Sequence, residues 1–180
     1  MPTDLIAEYE TEFDRKWAVL DLARTEDRTT PAVFPDRPFP SHLRFGYHGN
    51  AYEYCLFGWN HPETEFAWTG SSEVVLHLPP APTEDTYLLN MRVAPFVAGP
   101  IRRQRVSLSV GGELVAQWSI SHPGHYFALL FDRHLAQKQD LVFHLPDGSS
   151  PRELGINADD RQLGLLFYEV WLTPWQGISL

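Results

Sequence analysis

Cysteine is nearly missing from this chain: Cys55 is the single one in 180 residues. No internal disulfide can form, and there is no thiolate set for zinc. Long apolar runs are missing too, and no window approaches the roughly 20 residues that cross a bilayer. Clustered positive charge is scarce. Lys and Arg number 14 against 23 Asp and Glu, for a net charge of −9, and the one concentration is Arg102, Arg103 and Arg105. The phosphate attraction beneath nucleic-acid binding is therefore absent, and no nucleic-acid partner is expected. The opening Met1-Pro2-Thr3-Asp4 has no positive segment followed by an apolar one. It does not read as a signal peptide, and a cytoplasmic protein is expected. No fixed-period repeat and no low-complexity tract occurs. Three catalytic signatures are also wanting: the G-x-S-x-G elbow, the phosphate-cradling P-loop and the cupin histidine-glutamate pattern.

What is present is ordinary globular composition with generous aromatics: 43% hydrophobic and 13% Phe, Trp and Tyr, with 15 prolines against 12 glycines. The length suits one domain with an appendage. Leu5, Tyr9, Phe13, Trp17 and Leu20 recur at steps of four and three, which predicts an amphipathic helix within residues 1–28, capped by Thr3 or Asp4. Residues 29–40 carry a proline every few positions and read as an extended tether, pinned to the domain by Val33, Phe34 and Phe39.

From residue 41 to 180 the period becomes two. Leu43 and Phe45 alternate with polar neighbours; Tyr52, Tyr54 and Leu56 follow, then Val74, Leu76 and Leu78. Tyr87, Leu89, Met91 and Val93 point one way while Leu88, Asn90 and Arg92 point the other. Val106, Leu108 and Val110 lead through Gly111-Gly112 to Leu114, Ala116 and Trp118, a strong hairpin signal. Stretches 126–131, 141–145 and 163–172 complete eight or nine short strands. The fold class expected is mainly β: an antiparallel β-sandwich of jelly-roll type with an N-terminal amphipathic helix.

The most distinctive stretch is Gly58 to Gly70, G-W-N-H-P-E-T-E-F-A-W-T-G. It sets Trp59 and Trp68 around a Pro-broken loop that carries His61, Glu63 and Glu65. Flat aromatic faces beside carboxylates suit a saccharide, since rings stack on sugar faces and carboxylates accept from hydroxyls. The alternative for each indole is burial as a plug at the end of the sandwich. Asn90 and Arg92, on the wetter face of their strand, are further candidates for a sugar groove, with plain solvent exposure as the alternative.

Other constellations point less far. The histidines number eight, and the closest pair, His122 and His125, flanks Pro-Gly in a turn with no acid to complete a set; neither metal nor cofactor is expected. Glu63 with Glu65 and Asp159 with Asp160 are acid pairs of the kind a glycoside hydrolase needs, but solvated loop acids explain them. In I-N-A-D-D-R-Q-L-G, Arg161 is positioned to fork onto Asp159, Asp160 or an acid of a neighbouring loop and so pin the last strand.

The G-W-x-x-P-E loop with its second Trp and Thr-Gly, the hairpin V-S-L-S-V-G-G-E-L-V-A-Q-W, and S-P-R-E-L-G with D-D-R-Q-L-G together resemble the β-sandwich accessory domains of bacterial glycosyltransferases and other cell-surface polysaccharide proteins. The resemblance covers about Ser41 to Thr173. It carries over onto Trp59, Pro62, Glu63, Trp68, Gly70, Asp160, Arg161, Leu163 and Gly164. It implies a noncatalytic carbohydrate-binding or accessory subunit in polysaccharide biosynthesis, partnered by a glycan or a glycosyltransferase, with Asp160 and Arg161 as structural motif. No transferase domain or membrane anchor accompanies these residues here, so the helix is the natural docking or homo-oligomerisation element. Rival readings are an interaction module without sugar, and a small polysaccharide hydrolase or lyase.

Overall fold

The computed structural model describes residues 38–83, 85–136 and 139–175. The chain divides into two units, Met1–Asp36 and Arg37–Leu180, and the described residues belong to the second. The expected helix within 1–28 and the tether up to residue 37 lie outside the described residues. At the tether's end, Phe39 packs its ring 5.2 Å from Tyr87, and Tyr54 Oη donates to the Pro38 carbonyl at 2.9 Å.

The described residues form two antiparallel sheets facing each other across one core. The first runs β1 (His42–Arg44), β10 (Leu165–Pro174), β5 (Tyr87–Pro95), β8 (Gly124–Leu130), with β3 (Ala67–Trp68) also on β10. The second runs β2 (Cys55–Phe57), β4 (Glu73–Leu78), β9 (Gln139–His144), β6 (Gln104–Val110), β7 (Glu113–Ile120). A short helix, α1 (Asp132–Leu135), precedes β9. Successive strands change sheet at every connection except β6 to β7. There Gly111 and Gly112 take φ of +58° and +82°, the paired positive angles that a two-residue hairpin turn requires.

Alternation builds the core. Val74, Leu76 and Leu78 of β4, Leu89, Met91 and Val93 of β5, and Leu141 and Phe143 of β9 are buried on facing sheet surfaces. Phe143 meets Phe167 across the gap at 5.5 Å. On the opposite surface of β5, Leu88, Asn90, Arg92 and Ala94 alternate outward.

Three strands depart from simple alternation. Ala51–Glu53 form a 3-10 turn in place of extended chain, and β2 bulges at Leu56, so Cys55 is the buried residue and Leu56 is only half-buried. β7 is the outer strand of its sheet, and a bulge after Leu114 leaves that side chain 54% exposed. In β10 two residues, Tyr168 and Glu169, oppose the single Arg92 of β5. A bulge of this kind turns both side chains to the same face.

The side chain of His134 in α1 is buried near the β7 end of the second sheet. Its Nδ1 accepts the Phe131 backbone N–H at 3.0 Å, so the neutral ring carries its proton on Nε2, 3.2 Å from the Glu113 carboxylate. Hydrogen bonds from Arg133 first, then His134, lower the Glu113 carboxyl to about 2. Among the described residues no helix is long and apolar enough to cross a membrane.

Candidate functional site

The two tryptophans of the Gly58–Gly70 loop have opposite fates. Trp59 is 7% exposed, donates its indole N–H to the Val75 carbonyl at 3.0 Å, and packs 5.1 Å from both Phe45 and Phe167. The expected stacking platform at Trp59 is therefore corrected to a core plug: both the ring face and the polar edge are used inside the fold. Trp68 is half-buried. On β3 it pairs with Leu166 of β10, and its ring meets Phe66 at 6.3 Å and Phe96 at 6.1 Å, both edge-on.

The loop is stitched to the segment before β10. Asn60 Nδ2 donates to the Gln162 carbonyl at 2.9 Å, and Thr69 exchanges bonds with Leu165 at 2.8 and 2.9 Å through its own N–H and its hydroxyl. A Cβ on Gly164 would stand 2.9 Å from that Thr69 hydroxyl, and one on Gly58 would stand 2.1 Å from the Glu73 carbonyl. Glycine permits both close approaches. Arg161 forks onto Asp159 at 3.0 and 2.8 Å and reaches Glu63 at 3.0 Å. These bonds, those to Asp159 foremost, push the guanidinium further up and hold the Asp159 carboxyl below its usual range. Glu63 is thus the Arg161 partner in the clamp. Asp160 is exposed and makes no side-chain bond among the described residues.

Asn90 and Arg92 lie elsewhere, on the outer face of the first sheet, where the register assembles a second group of rings. Trp171 of β10 sits opposite His42 of β1 on one side and Asn90 of β5 on the other. Imidazoles reach the indole from both flanking directions: His42 at 5.0 Å and 15° between planes, His125 of β8 at 5.8 Å and 21°. Asn90 Oδ1 is 3.4 Å from His125 Nδ1. One row along, Arg92 pairs with Glu169 at 2.9 Å and its guanidinium lies 4.6 Å above the Tyr168 ring. His42 Nε2 holds the other oxygen of Glu169 at 2.7 Å. Tyr168 then meets Phe66 at 5.9 Å, which joins this group to Trp68 and Phe96.

The outcome is a continuous band of aromatic rings interleaved with one carboxylate, one guanidinium, one amide and two imidazoles. The bulge at Tyr168 and Glu169 is what places a ring and a carboxylate side by side within it. Of the residues in this band the sequence singles out Trp68, Asn90 and Arg92 as ligand candidates, and does not single out Trp171, Tyr168, Glu169, His42 or His125. The inward facing of Val170 and Leu172 carried the missing signal, since it turns Trp171 outward. Among the described residues no group of three or more His, Cys, Asp or Glu could hold a metal ion.

No protein-family model matches the sequence, and no curated protein matches it. Solved structures do. The chain is similar to BtGH115A, a 4-O-methyl-α-glucuronidase with specificity for decorated arabinogalactans, with TM-score 0.46 and 12% identity over 82% of this chain, and it spans 19% of that enzyme. It is also similar to the C-terminal CBM6 of LamC, a marine laminarinase from Zobellia galactanivorans, with TM-score 0.44 and 16% identity over 73% of this chain and 98% of that one. A third is the carbohydrate-binding module CBM36 in complex with calcium and xylotriose, with TM-score 0.36 and 16% identity over 59% of this chain and 76% of that one.

Proposed function

We propose that the domain is a noncatalytic carbohydrate-binding module whose ligand lies along the outer face of the first sheet. The observation that supports this reading is the half-buried Trp171, set between His42 and His125 with Asn90, Arg92 and Glu169 beside it. A pyranose offers an apolar C–H face and a hydroxyl rim. Rings take the first, and amide, carboxylate and guanidinium take the second. Four strands at a spacing of about 4.8 Å make a face on the order of 14 Å wide, broad enough for an oligosaccharide. Glu169 is held from two sides before any ligand arrives, so little ordering is left for binding to carry. It is also the single carboxylate of the band, whereas glycoside hydrolysis needs two.

Affinity electrophoresis of wild type and Trp171→Ala through a panel of polysaccharide gels tests this. Retardation in at least one gel, weakened about tenfold in the variant at unchanged melting temperature, is the expected result. Retardation unchanged by the substitution, or none on any polymer, overturns it.

Within this reading the strand alternation between sheets is that of a jelly roll, and the protein is a cytoplasmic accessory subunit in bacterial polysaccharide biosynthesis beside a glycosyltransferase. The support for that narrower form is the sequence resemblance over Ser41 to Thr173, and co-purification of a transferase with the tagged full chain tests it. One observation favours a protein partner instead: Phe127 and Leu129 stand 53% and 39% exposed on β8, the outer strand of its sheet. Light scattering of wild type against Phe127→Glu decides whether that surface holds a second chain.

A further inference from the structure

At the end of the sandwich that carries the β5–β6 and β9–β10 connections, two braced loops face each other. In the first, Ala98 and Ile101 exchange backbone hydrogen bonds at 3.0 and 2.9 Å. In the second, Ser149 and Leu163 do so at 3.1 and 3.0 Å, and Arg152 N–H donates to the Asp159 carbonyl at 2.8 Å. Gln104, fully buried at the start of β6, ties the two together, its Nε2 reaching the Phe96 carbonyl at 2.7 Å and the Asp147 carbonyl at 3.4 Å.

Between the loops lies a cleft of about 560 Å³ whose lining includes Arg102, Arg103, Arg105, Asp147, Gly148 and Ser149. Three guanidiniums meet one carboxylate there, in a chain whose net charge is −9. Arg105 already has its partner: its Nε donates to Asp147 at 2.8 Å and its backbone N–H at 2.9 Å. Those bonds, with the nearby charge of Arg103, hold the Asp147 carboxyl below its usual range. The side chains of Arg102 and Arg103 are exposed on the cleft and make no hydrogen bond or ion pair among the described residues. Two unpaired guanidiniums on a rigid frame match a planar or tetrahedral oxyanion, which each can meet with two parallel N–H donors.

We propose that this cleft is an oxyanion site in which Arg102 and Arg103 take the carboxylate or sulfate ester of an acidic saccharide. The carrier rests on the carbohydrate reading; the anion rests on the cleft alone. The site is separate from the Trp171 band, so the two are tested by different variants.

The experiment uses the full chain in gels of dextran, dextran sulfate and polygalacturonate, alongside calorimetric titration with inorganic sulfate. Variants are Arg102→Gln/Arg103→Gln, its Lys counterpart, and Arg133→Gln as a charge control whose guanidinium is paired with Glu113 at 2.7 Å. The expected result is retardation by dextran sulfate or polygalacturonate that exceeds that by dextran and falls about tenfold or more in the Gln pair. The Lys pair should fall in between, and Arg133→Gln should behave as wild type. Polyanion retardation unmoved by the Gln pair, or lost equally in Arg133→Gln, overturns the site even if Trp171→Ala abolishes glycan binding. Sulfate binding that needs both arginines while no polymer is retarded upholds the oxyanion site and overturns the saccharide as its carrier. Absence of both sulfate binding and polyanion retardation overturns the inference.

Discussion

Trp59 and Trp171 are the same residue type placed in opposite service. Trp59 closes the end of the core, with its N–H spent on the Val75 carbonyl and its ring packed against Phe45 and Phe167. Trp171 stands on an outer sheet surface between two imidazoles, among polar groups held in pairs. The loop around Trp59 holds the fold together, and the band around Trp171 lies on the outer face of the first sheet. Motif density along the chain therefore marked where the fold is tied, whereas the proposed recognition surface is gathered from single residues on β1, β5, β8 and β10.

Substitutions should separate the two tryptophans. Trp59→Ala should have the largest effect, a loss of about 3–5 kcal/mol in denaturant unfolding, because it leaves a large cavity and removes the donor to Val75. Trp171→Ala should change unfolding by about 1 kcal/mol or less. If the two variants lose similar stability, the division between tie and surface fails.

Gly164→Ala comes next, with about 1–3 kcal/mol lost as the new methyl meets the Thr69 hydroxyl. Its thermal melt should shift while glycan retardation at low temperature persists. Trp171→Ala should then weaken retention on a bound polysaccharide about tenfold, as loss of one aromatic contact does.

Acid should act on the ties. Asp147, Asp159 and Glu113 all have lowered carboxyl pKa values through their arginine partners, with Glu113 at about 2. The unfolded chain therefore binds more protons than the native one between the folded and unfolded values, and stability falls as pH drops through that window. Melting temperature should decline from about pH 5 towards pH 2, with a shallower decline in Asp147→Asn. The smallest effect is expected for Arg161→Ala, about 0.2–1 kcal/mol and diminished by salt, since its bonds to Asp159 and Glu63 are exposed.

Much of the sandwich was legible from period-two runs. Tyr87, Leu89, Met91 and Val93 are buried as alternation demanded, and Gly111-Gly112 turns with both φ positive. Two of the misread strands share one cause. At Leu56 and after Leu114 the ladder admits an extra residue, and facing cannot be counted across a bulge. The site was less legible. Trp59 and Trp68 look alike in sequence, and only the third dimension supplies Val75 as an internal acceptor for one of them. His42, Trp171 and His125 are far apart along the chain and meet through strand register, which no local spacing encodes. Arg102, Arg103 and Arg105 stood out in the sequence by charge alone, and the cleft became visible only when the Asp147 loop was folded against them.

The extra residue in β10 also says how this strand can change. Leu165 and Phe167 face inward ahead of Tyr168, and Val170 and Leu172 face inward behind it, so the doubled step absorbs one position without turning either half over. Removing Tyr168 would even the ladder against β5, at the loss of the ring beneath Arg92 and of the carbonyl that accepts the Phe45 N–H at 2.9 Å on the β1 side. A length change at this point would thus remodel the surface chemistry and, together with it, the strand's hold on the chain that follows β1.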